Sequence, residues 1–528
     1  MSILIATDMR AKAKEMAELQ NDLTYFTMVM FKLLNGREFM LTKPHGRRSH
    51  IEEIFELITD IVYGKCPFSS TNIAPGHFKS TLFCYGIAWA YSMYPKSHSI
   101  YASYSGDLAV GQTAIIRSII TLAEYGSWFG VRIKSDSRAK GDFWTTDGGR
   151  IYAAGFGGTI TGINAGLAGG KEFNGLLLID DAHKMSEVHY PTARAKTKHD
   201  FHFTLEERRR GRSEDFFITP LAYIGQRGHE DDLPSEFINN PKYRNLILPS
   251  LDAAKNALAP EIISKDALLE MEREEPYKFA AQHQQNPTPD GGALFKADDF
   301  ELLDEEPKML MTFITVDCAE TEKTYNDATA FTFFGIYRIV ERGKPTEHLG
   351  LHIINSWEIR VEPCDLEENF MQFYGQCMTH ESKPAVMWIE KKSTGVTLLS
   401  TLRRMRGLEV LPIDRTYKSG SKAQRFINCQ KYIRKRLVSL TRMARHTPKV
   451  VDHMAKISPA MTQANDDIAD TIADAIDLTF MSKVATSFIQ SEQDSEQHLV
   501  QRIADRYSTI AAIRGNPVDY RGFYDQGN

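Results

Sequence analysis

A lysine and a hydroxyl residue stand where a loop opens into a predicted helix in the first half of the chain. The segment APGHFKST, residues 74–81, places Lys79 and Ser80 after a proline and a glycine. Binding of nucleotide phosphates needs backbone N–H groups at a helix N-terminus, a cation for the phosphates and a hydroxyl for Mg²⁺. Lys79 and Ser80 would supply the cation and the hydroxyl, so the segment is a candidate phosphate-binding loop.

The segment departs from the strict phosphate-loop pattern GxxxxGK[ST]. Ile73 and Phe78 stand where that pattern has glycine. An ordinary helix cap is therefore the alternative interpretation. If the loop binds a nucleotide, three further residues are candidates for contact with it: Gly76, His77 and Thr81.

A pair of aspartates ends an apolar run further along the chain. GLLLID, residues 175–180, is a continuous apolar run of the kind found in strands covered on both faces, and Asp181 follows Asp180 at its end. ATP hydrolysis needs a Mg²⁺ carboxylate and a water-orienting carboxylate at such a strand end. Any doubly wound sheet can end a strand in Asp. The order of loop, strand and carboxylates nevertheless favours an ATPase.

Carboxylates also end two apolar runs in the second half. Asp317 ends FITVD and Glu390 ends WIE. The segment NDDIADTIADA, predicted to be helical, carries four more: Asp466, Asp467, Asp470 and Asp474. Three carboxylates from these places could converge on two divalent cations that activate water for cleavage of a phosphodiester. The alternative is that they are ordinary solvated groups.

The chain around these residues alternates between predicted strands and helices, which indicates an α/β fold. Residues 1 to about 50 are expected to form a helical lead that ends in a loop at 43–49. Helices are expected over 82–93 and 108–125, and a mixed helical stretch over 236–285. Strands are expected at 99–105, 149–155, 175–180 and 215–219.

The second half is expected to begin after a linker. NPTPDGG, residues 286–292, combines proline and glycine in the manner of an inter-domain connection. Four further strands are expected beyond it, in the segments MTFITVD, TAFTFFGIY, LGLHIINSWEI and AVMWIE.

The composition excludes several classes of protein. With 528 residues, of which 42% are hydrophobic and 25% charged, the chain is expected to fold into two or more domains. No uncharged stretch is long enough to span a membrane, and the opening residues MSILIATDMRAK lack the apolar run of a secretion signal. The six cysteines form no CxxC pair, and reduced thiols are expected.

Charge is concentrated in one segment. The net charge of −5 excludes nucleic-acid binding through overall charge, so any such contact depends on a local patch. Residues 403–445, the basic segment, hold thirteen Lys or Arg against two acidic residues, Glu409 and Asp414. The segment is either a solvated helix face or a surface for DNA phosphates.

In combination, these motifs resemble the large terminase subunits of tailed double-stranded DNA phages and prophages, over roughly residues 50–480. The segments that carry the resemblance are APGHFKST, SYSGDLA, LLLIDDAHK, ITPLAYIGQRGHEDDL, AAQHQQNPTPDGGALFK, FITVDCA, WIE and DDIAD. The family joins an N-terminal P-loop ATPase domain of the ASCE type to an RNase H-like nuclease domain. The resemblance implies a helical lead at 1–50, an ATPase domain at 51–250, a connecting segment and linker at 251–300, a nuclease domain at 301–482 and a polar tail at 483–528.

The resemblance also implies roles for individual residues. Lys79 and Ser80 would act on nucleotide phosphate and Mg²⁺, Asp180 would be the Walker B carboxylate, and Asp181 would orient water. Thr219 would be the coupling hydroxyl that reports hydrolysis. For the nuclease, the implied metal ligands are Asp317, Glu390 and a third carboxylate, Asp470 in preference to Asp467, with Asp327 near them. Lys422 and Arg425, in SKAQR, would bind DNA.

The chain departs from the family pattern at several of these positions. The family often has Arg at the position of Gly76 and Glu at the position of Asp181, so the source of a charge-stabilising arginine is open. Four residues before the coupling segment are candidates, with a solvated helix end as the alternative: Arg208, Arg209, Arg210 and Arg212. Asn465 and Thr471 stand where His and Ala are frequent, which leaves the third metal ligand open.

The function that the resemblance implies is a viral DNA-packaging motor. ATP hydrolysis would drive double-stranded DNA into a procapsid, and a two-metal endonuclease using Mg²⁺ or Mn²⁺ would cut concatemers at initiation and termination. The implied partners are double-stranded DNA, the portal protein, the small terminase subunit and further copies in a ring, most simply a pentamer, with no membrane. The implied location is the host cytoplasm and, transiently, the procapsid portal, but not the mature virion.

Two alternatives to this function remain open. One is an ATP-dependent DNA-remodelling enzyme of the helicase-nuclease or transposase-like kind, although SYSGDLA and QRGHEDDL speak against it. The other is that the second half is a degenerate RNase H-like fold that only grips DNA or the portal. The sequence does not decide the second, because catalysis by carboxylates depends on their geometry.

Overall fold

The chain divides into two units, Met1–Gly292 and Ala293–Asn528, in a computed structural model. The structure describes residues 2–137, 139–158, 160, 162–211, 215–288, 292–318, 328–362, 365–390, 398–400, 402–403, 409–413, 421–460 and 466–489, with backbone alone at 2–11. Asp327 and Arg212 lie outside these residues, as does most of the segment after Met481. No helix among the described residues is both long and apolar enough to cross a membrane.

The first unit is built from a parallel sheet with helices on both faces. Its helices are α1 (Ser2–Asn21), α2 (Leu23–Asn35), α3 (His50–Val62), α4 (Lys79–Met93), α5 (Gly106–Thr121), α6 (Ala123–Phe129), α7 (Pro191–Asp200), α8 (Leu233–Ile238), α9 (Lys265–Glu274) and α10 (Pro276–Lys278). Its strands are β1 (Phe68–Ile73), β2 (His98–Ser103), β3 (Asp142–Trp144), β4 (Arg150–Gly155), β5 (Leu177–Asp180), β6 (Leu221–Gly225) and β7 (Arg244–Leu248).

The strand order brings the candidate ATPase residues to one edge. Among the described residues the order is β3-β4-β2-β5-β6-β1-β7, and each neighbouring pair is parallel except β3 with β4. Strand β6 thus lies between β1, which leads into the Lys79 loop, and β5, which ends in Asp180. The sheet thus has an additional strand between these two, which is the strand arrangement expected of an ASCE-type ATPase. Because the strands are parallel, their carboxyl ends meet at the same edge.

Burial on both faces explains the central strands. All residues of β5 and β6 are buried, as expected for apolar runs covered by helices on each side. One core forms between the sheet and α2–α5, and includes Ile58, Phe83 and Trp89. A second core on the other face includes Ile179 and Tyr223.

Three expectations for the first unit need correction. The strand placed at 215–219 begins instead at Leu221, because Pro220 has no N–H for the ladder and the buried apolar run follows it. The stretch 236–285 contains strand β7 at the sheet edge and is not all helical. The helix expected over 108–125 is two helices, since Leu122 adopts an extended ψ of 138° between them.

The second unit is built around another mixed sheet. Its strands are β8 (Glu301–Leu303), β9 (Met309–Asp317), β10 (Thr329–Glu341), β11 (Lys344–Ile359), β12 (Val386–Glu390), β13 (Glu409–Ile413) and β14 (Val438–Thr441). Its helices are α11 (Leu366–Cys377), α12 (Lys422–Arg434), α13 (Thr447–Ala455) and α14 (Asp467–Ile476). The four strands expected from the sequence are confirmed as β9–β12, and the helix expected at NDDIADTIADA is confirmed as α14.

The topology of the second sheet is that of an RNase H-like fold. Strands β9, β10 and β11 form an antiparallel meander, and β12 then β13 add in parallel on the free side of β9. Helix α11 covers one face, where Phe370 and Phe373 pack on Phe331. Helix α14 covers the other face, where Thr471 Oγ1 lies 2.8 Å from Thr332 Oγ1. Because neighbouring side chains on a strand point to opposite faces, β10 holds both helices.

Candidate functional site

The loop between β1 and α4 has the shape of a phosphate cradle. It runs from Ala74 to Phe78, and α4 begins at Lys79 without a side-chain cap, so backbone N–H groups open its N-terminus. Gly76 has a φ of 79°. Phe78, with a φ of 61°, adopts the left-handed conformation that the strict pattern assigns to glycine. The chain thus builds the glycine conformation without the glycine, at a cost in backbone strain of about 1–2 kcal/mol.

Two buried histidines, His50 of α3 and His77 of the loop itself, hold the loop in place through hydrogen bonds. His50 Nε2 lies 3.2 Å from the carbonyl oxygen of His77, which can only accept, so Nε2 carries the proton and donates. By the same logic His77 Nδ1 donates to the carbonyl oxygen of Pro75, at 3.0 Å. Burial lowers the pKa of His50 to about 3, with His77 adding to the fall, and burial also lowers the pKa of His77. Both rings are therefore neutral near pH 7.

Lys79 and Asp181 form an ion pair at the carboxyl edge of the first sheet. Lys79 Nζ lies 3.2 Å from Asp181 Oδ2, and the lysine side chain is buried. The other carboxylate oxygen, Asp181 Oδ1, accepts from the backbone N–H of Gln226 at 3.3 Å. Asp181 directly follows β5 and has a φ of 44°. At this position its side chain meets Lys79, at the end of the loop between β1 and α4. A cation, a carboxylate and the end of β6 thus converge at one place.

Asp180 lies beside this pair and is buried. Tyr101 of β2 donates its hydroxyl to Asp180 Oδ2 at 2.5 Å. Burial and repulsion from Asp181 raise the pKa of Asp180 to about 6, while Lys79 and hydrogen bonds from Tyr101 and Ser80 oppose the rise. The carboxylate of Asp180 is therefore buried, hydrogen-bonded to Tyr101 and next to the hydroxyl of Ser80 at the start of α4.

These residues suit a magnesium-nucleotide complex. The hydroxyl of Ser80 and the carboxylate of Asp180 are adjacent hard oxygen donors, which Mg²⁺ prefers. Lys79 and the open N-terminus of α4 suit the phosphates that accompany the ion. The donor set therefore fits, and Ser80 and Asp180 are the residues that would hold the ion.

Thr219 lies at the amino ends of the strands, opposite the carboxyl ends where Lys79 and Asp181 meet. The described arginines before Thr219 lie on the same side. Thr219 precedes β6, is buried, and donates its hydroxyl to Asn174 Oδ1 at 2.9 Å. Arg209 stacks on Phe68, at the start of β1, with its guanidinium 4.4 Å from the ring centroid. The backbone N–H of Arg210 donates to Ala165. The structure does not bring these residues to Lys79, and Gln226, at the other end of β6, lies beside Asp181 instead.

In the second unit, Asp317 and Glu390 end neighbouring parallel strands. Val316 pairs with Ile389, so each strand finishes with its carboxylate one residue later. Both side chains are buried. Helix α14 is attached close by, because Thr315 Oγ1 donates to the carbonyl oxygen of Thr471 at 3.0 Å. Three of the predicted carboxylate positions therefore come from elements that pack together.

Asp470 is neutralised by two cations of α12. Lys422 Nζ lies 2.6 Å from Asp470 Oδ2, and Arg425 Nη2 lies 3.0 Å from Asp470 Oδ1. Arg425 also contacts Asp474 at 2.9 Å, and Lys422 contacts Asp466 at 2.7 Å. Burial lowers the pKa of Lys422, but Asp470 and Asp466 outweigh it, so the net pKa is raised. We call these five side chains the α12–α14 ion cluster.

Asp467 is not one of the ion-paired carboxylates of that cluster. Burial, together with repulsion from Asp466 and Glu358, raises the pKa of Asp467 to about 7. Within the part of the chain that the structure describes, no group of three or more His, Cys, Asp or Glu side chains is arranged to hold a metal ion. The carboxylates as placed do not fit a two-metal centre, because the charge of Asp470 is already balanced by Lys422 and Arg425.

Within its described residues, the basic segment forms several ion pairs with carboxylates from other parts of the chain. Besides Lys422 and Arg425, three of its arginines contact carboxylates that precede β9: Arg434 with Asp299, Arg436 with Glu301 and Arg442 with Asp304. The local charge excess seen in the sequence is thus reduced by residues distant in the chain. The placement of Lys422 and Arg425 does not support the prediction that they bind DNA phosphates.

Three residues of the first-unit site were not predicted from the sequence: His50, Tyr101 and Gln226. Gln226 had a usable signal, since ligands in open α/β sheets bind at the carboxyl ends of strands and Gln226 follows an apolar run. His50 and Tyr101 had none, because their partners, His77 and Asp180, are distant in the sequence.

The solved structures similar to this chain include three from bacteriophage large terminases. The large terminase of a thermophilic bacteriophage, in complex with ADP, is similar over 86% of this chain and 98% of that chain, with 12% identity and a TM-score of 0.42. The large terminase of bacteriophage HK97 is similar over 84% of this chain and 98% of that chain, with 10% identity and a TM-score of 0.32. The large-terminase ATPase domain of Thermus phage P74-26 covers 49% of this chain and 97% of that chain, with 11% identity and a TM-score of 0.31.

No protein-family model matches the sequence, and no curated protein matches it. The two-unit α/β fold predicted from the sequence is confirmed by the topology of the two sheets. At these identities and TM-scores the likeness by itself assigns no activity to this chain.

Proposed function

We propose that this chain is the large terminase subunit of a phage or prophage, an ATP-driven motor that moves double-stranded DNA into a procapsid. The observation that carries the proposal is the convergence of Lys79, Asp180 and Asp181 at the carboxyl edge of an ASCE-type sheet. The order of the two folds along the chain, and the segments shared with the terminase family, support packaging over other uses of ATP.

Each residue of the first-unit site has a defined task in this proposal. The N-terminus of α4 and Lys79 bind the nucleotide phosphates, and Ser80 with Asp180 holds Mg²⁺. Mg²⁺, when bound, neutralises charge on the transferred phosphoryl group. Asp181, positioned by the backbone N–H of Gln226, orients the attacking water. Lys79 leaves Asp181 for the phosphates when nucleotide binds, which frees the carboxylate for water.

The charge-stabilising arginine is proposed to come from a neighbouring subunit. The run at Arg208–Arg210 lies at the far edge of the sheet, and Arg209 is buried against Phe68. A ring of subunits, most simply a pentamer, would present an arginine in trans. The portal protein, the small terminase subunit and the DNA are the further partners of such a ring, which would work in the host cytoplasm at the procapsid portal.

The second unit is proposed to cut concatemeric DNA with Asp317, Glu390 and Asp470, which requires Asp470 to leave its ion pairs with Lys422 and Arg425. Their elements pack together, which supports the proposal. A second candidate has its own observation: the α12–α14 ion cluster balances Asp470 without a metal ion, as expected of an RNase H-like fold that grips DNA or the portal without cleaving.

The test of both units uses one set of variants. ATP turnover and cleavage of a supercoiled plasmid in Mn²⁺ or Mg²⁺ at low salt are measured for the wild type, Lys79→Ala and Asp317→Asn. The exposed Lys96, outside the site, supplies the control Lys96→Ala. We expect Lys79→Ala to lower ATP turnover at least a hundredfold, about 2.7 kcal/mol, and to leave plasmid cleavage unchanged. Asp317→Asn should abolish cleavage and keep ATP turnover.

Three outcomes would contradict parts of the proposal. Equal ATP turnover in Lys79→Ala and wild type would exclude the assigned phosphate loop. Plasmid cleavage that persists in Asp317→Asn would exclude the assigned nuclease residues. Absence of cleavage by the wild type, with ATP turnover intact, would favour the gripping function of the second unit.

A further inference from the structure

One buried hydroxyl of the first unit is directed at a carboxylate and not at the backbone. Tyr101 lies on β2, where it pairs with Leu178 of the neighbouring β5. The residue is 1% exposed. Its hydroxyl donates to Asp180 Oδ2 at 2.5 Å, a distance typical of a hydrogen bond to a charged oxygen.

The same hydroxyl lies near the start of α4. Burial raises the pKa of Tyr101, and the neighbouring hydroxyl of Ser80, the first hydroxyl residue of α4, opposes the rise. Ser80 in turn acts on Asp180. Tyr101 and Asp180 are buried and Ser80 is half-buried. These side chains come from β2, β5 and the start of α4, and Ser80 and Asp180 are the residues that would hold Mg²⁺.

We propose that Tyr101 is a positioning residue for the metal-nucleotide complex, a role that rests on the proposed ATPase function. By fixing one oxygen of Asp180, it sets the direction in which the other faces. That other oxygen, Asp180 Oδ1, is buried and has no hydrogen-bond partner among the described residues. A carboxylate without this hydroxyl would rotate about its final bond and lose the geometry that octahedral Mg²⁺ demands.

Other buried tyrosines show what a purely structural hydroxyl looks like in this unit. Tyr91 is fully buried and donates to the backbone carbonyl oxygen of Arg150 at 2.7 Å. Tyr125 donates to the backbone carbonyl oxygen of Ala88, also at 2.7 Å. These bonds join elements of the fold and involve no carboxylate. Tyr91 therefore offers a matched control, because Tyr→Phe makes the same chemical change in a similar environment.

The experiment measures Mg²⁺ dependence of nucleotide binding in the full chain. A fluorescent ATP analogue is titrated into wild type, Tyr101→Phe and Tyr91→Phe, first without Mg²⁺ and then at rising Mg²⁺. We expect Tyr101→Phe to raise the half-saturating Mg²⁺ concentration about tenfold, the effect of one hydrogen bond to a charged group. Affinity without Mg²⁺ should stay within about twofold of wild type, since the phosphate contacts of Lys79 and α4 are unchanged. Tyr91→Phe should match wild type in both.

A double-variant cycle separates positioning from folding. In an Asp180→Asn background the carboxylate is absent, so adding Tyr101→Phe should change the Mg²⁺ requirement no further. Thermal unfolding without Mg²⁺ reports the stability of each variant separately.

Distinct results would overturn the proposal. An unchanged Mg²⁺ requirement in Tyr101→Phe would exclude the positioning role while the wild-type binding curve left the ATPase proposal standing. An equal loss of affinity with and without Mg²⁺ would show a structural role only. A wild-type protein that binds no nucleotide at any Mg²⁺ concentration would overturn both proposals together.

Discussion

At the scale of the residue, Phe78 shows a conformation that its side chain disfavours. A non-glycine residue at a φ of 61° is held there by the turn between β1 and α4. The side chain is 37% exposed, so little packing rewards phenylalanine at this place. The flanking strand and helix therefore determine the loop conformation, and Phe78 adopts it despite the strain.

Replacement of Phe78 by glycine should stabilise the first unit. Glycine adopts a positive φ without the left-handed penalty, so we expect Phe78→Gly to raise the free energy of unfolding by about 1 kcal/mol. Urea denaturation of wild type and Phe78→Gly measures it. Phe78→Ala retains the penalty and serves as the control. A Phe78→Gly variant no more stable than Phe78→Ala would contradict the strain.

His50 should make stability depend on acid pH. The pKa of His50 is about 3 in the folded chain, below its unfolded value, so the unfolded state takes up a proton first as the pH falls. The contribution of His50 to the free energy of unfolding is fully present above about pH 6.5. Below that pH the contribution falls by about 1.4 kcal/mol per pH unit. The difference in unfolding free energy between pH 7 and pH 5 should be smaller in His50→Gln than in wild type. Equal pH dependence in the two proteins would refute this.

At the scale of the element, α12 and α14 are joined by charge and not only by apolar contact. Arg425 lies between Asp470 and Asp474, which are one turn apart on α14 and both buried. Residues at i and i+4 share a helix face, so a single guanidinium reaches both. The cluster fixes the orientation of α14, and through it the place of Asp470 relative to β9.

Removal of Arg425 should therefore destabilise the second unit strongly. Arg425→Met leaves two buried carboxylates short of a counter-charge, for which we expect a loss of about 3–5 kcal/mol in unfolding free energy. The matched control is Arg436→Met, which breaks the half-exposed pair with Glu301 and should cost under about 1 kcal/mol. Chemical denaturation of both variants makes the comparison. Similar losses of unfolding free energy in the two variants would show that the α12–α14 ion cluster stabilises the unit no more than a surface ion pair does.

Strand β6 is an element whose position was predicted from the sequence with an error of a few residues. The aromatic run before Pro220 and the apolar run after it both suit a strand, and local pattern favoured the first. The fold chose the second, because Leu221–Gly225 fits between β1 and β5 with every residue buried. This shift of a few residues moves Thr219 to the edge away from Lys79 and brings Gln226 to Asp181 instead.

At the scale of the whole molecule, the two units should respond separately to nucleotide. The candidate nucleotide residues all lie before Gly292, the end of the first unit. A ligand stabilises only what it binds, by about 2.7 kcal/mol at a hundredfold excess over its Kd. In calorimetry, we expect a non-hydrolysable ATP analogue with Mg²⁺ to raise one unfolding transition and leave the other in place. Lys79→Ala should remove the shift, and a shift of both transitions would contradict independent units.

The sequence by itself determined the fold class, the main strands and the identity of the chemically competent residues. Apolar runs ending in carboxylates, and a lysine at a loop-helix junction, are local patterns that burial and helix geometry impose on any chain. Lys79, Ser80, Asp180 and Asp181 were predicted as one site, and the parallel order of β1 and β5 brings them together.

Only the tertiary structure decided which charges balance one another. Lys422 and Arg425 stood in a basic segment that suggested a DNA surface, yet they pair with carboxylates more than 40 residues away in the chain. The hydroxyl of Tyr101 likewise meets Asp180 across 79 residues. A charged or polar group finds its partner through the packing of distant elements, and no local spacing records that choice.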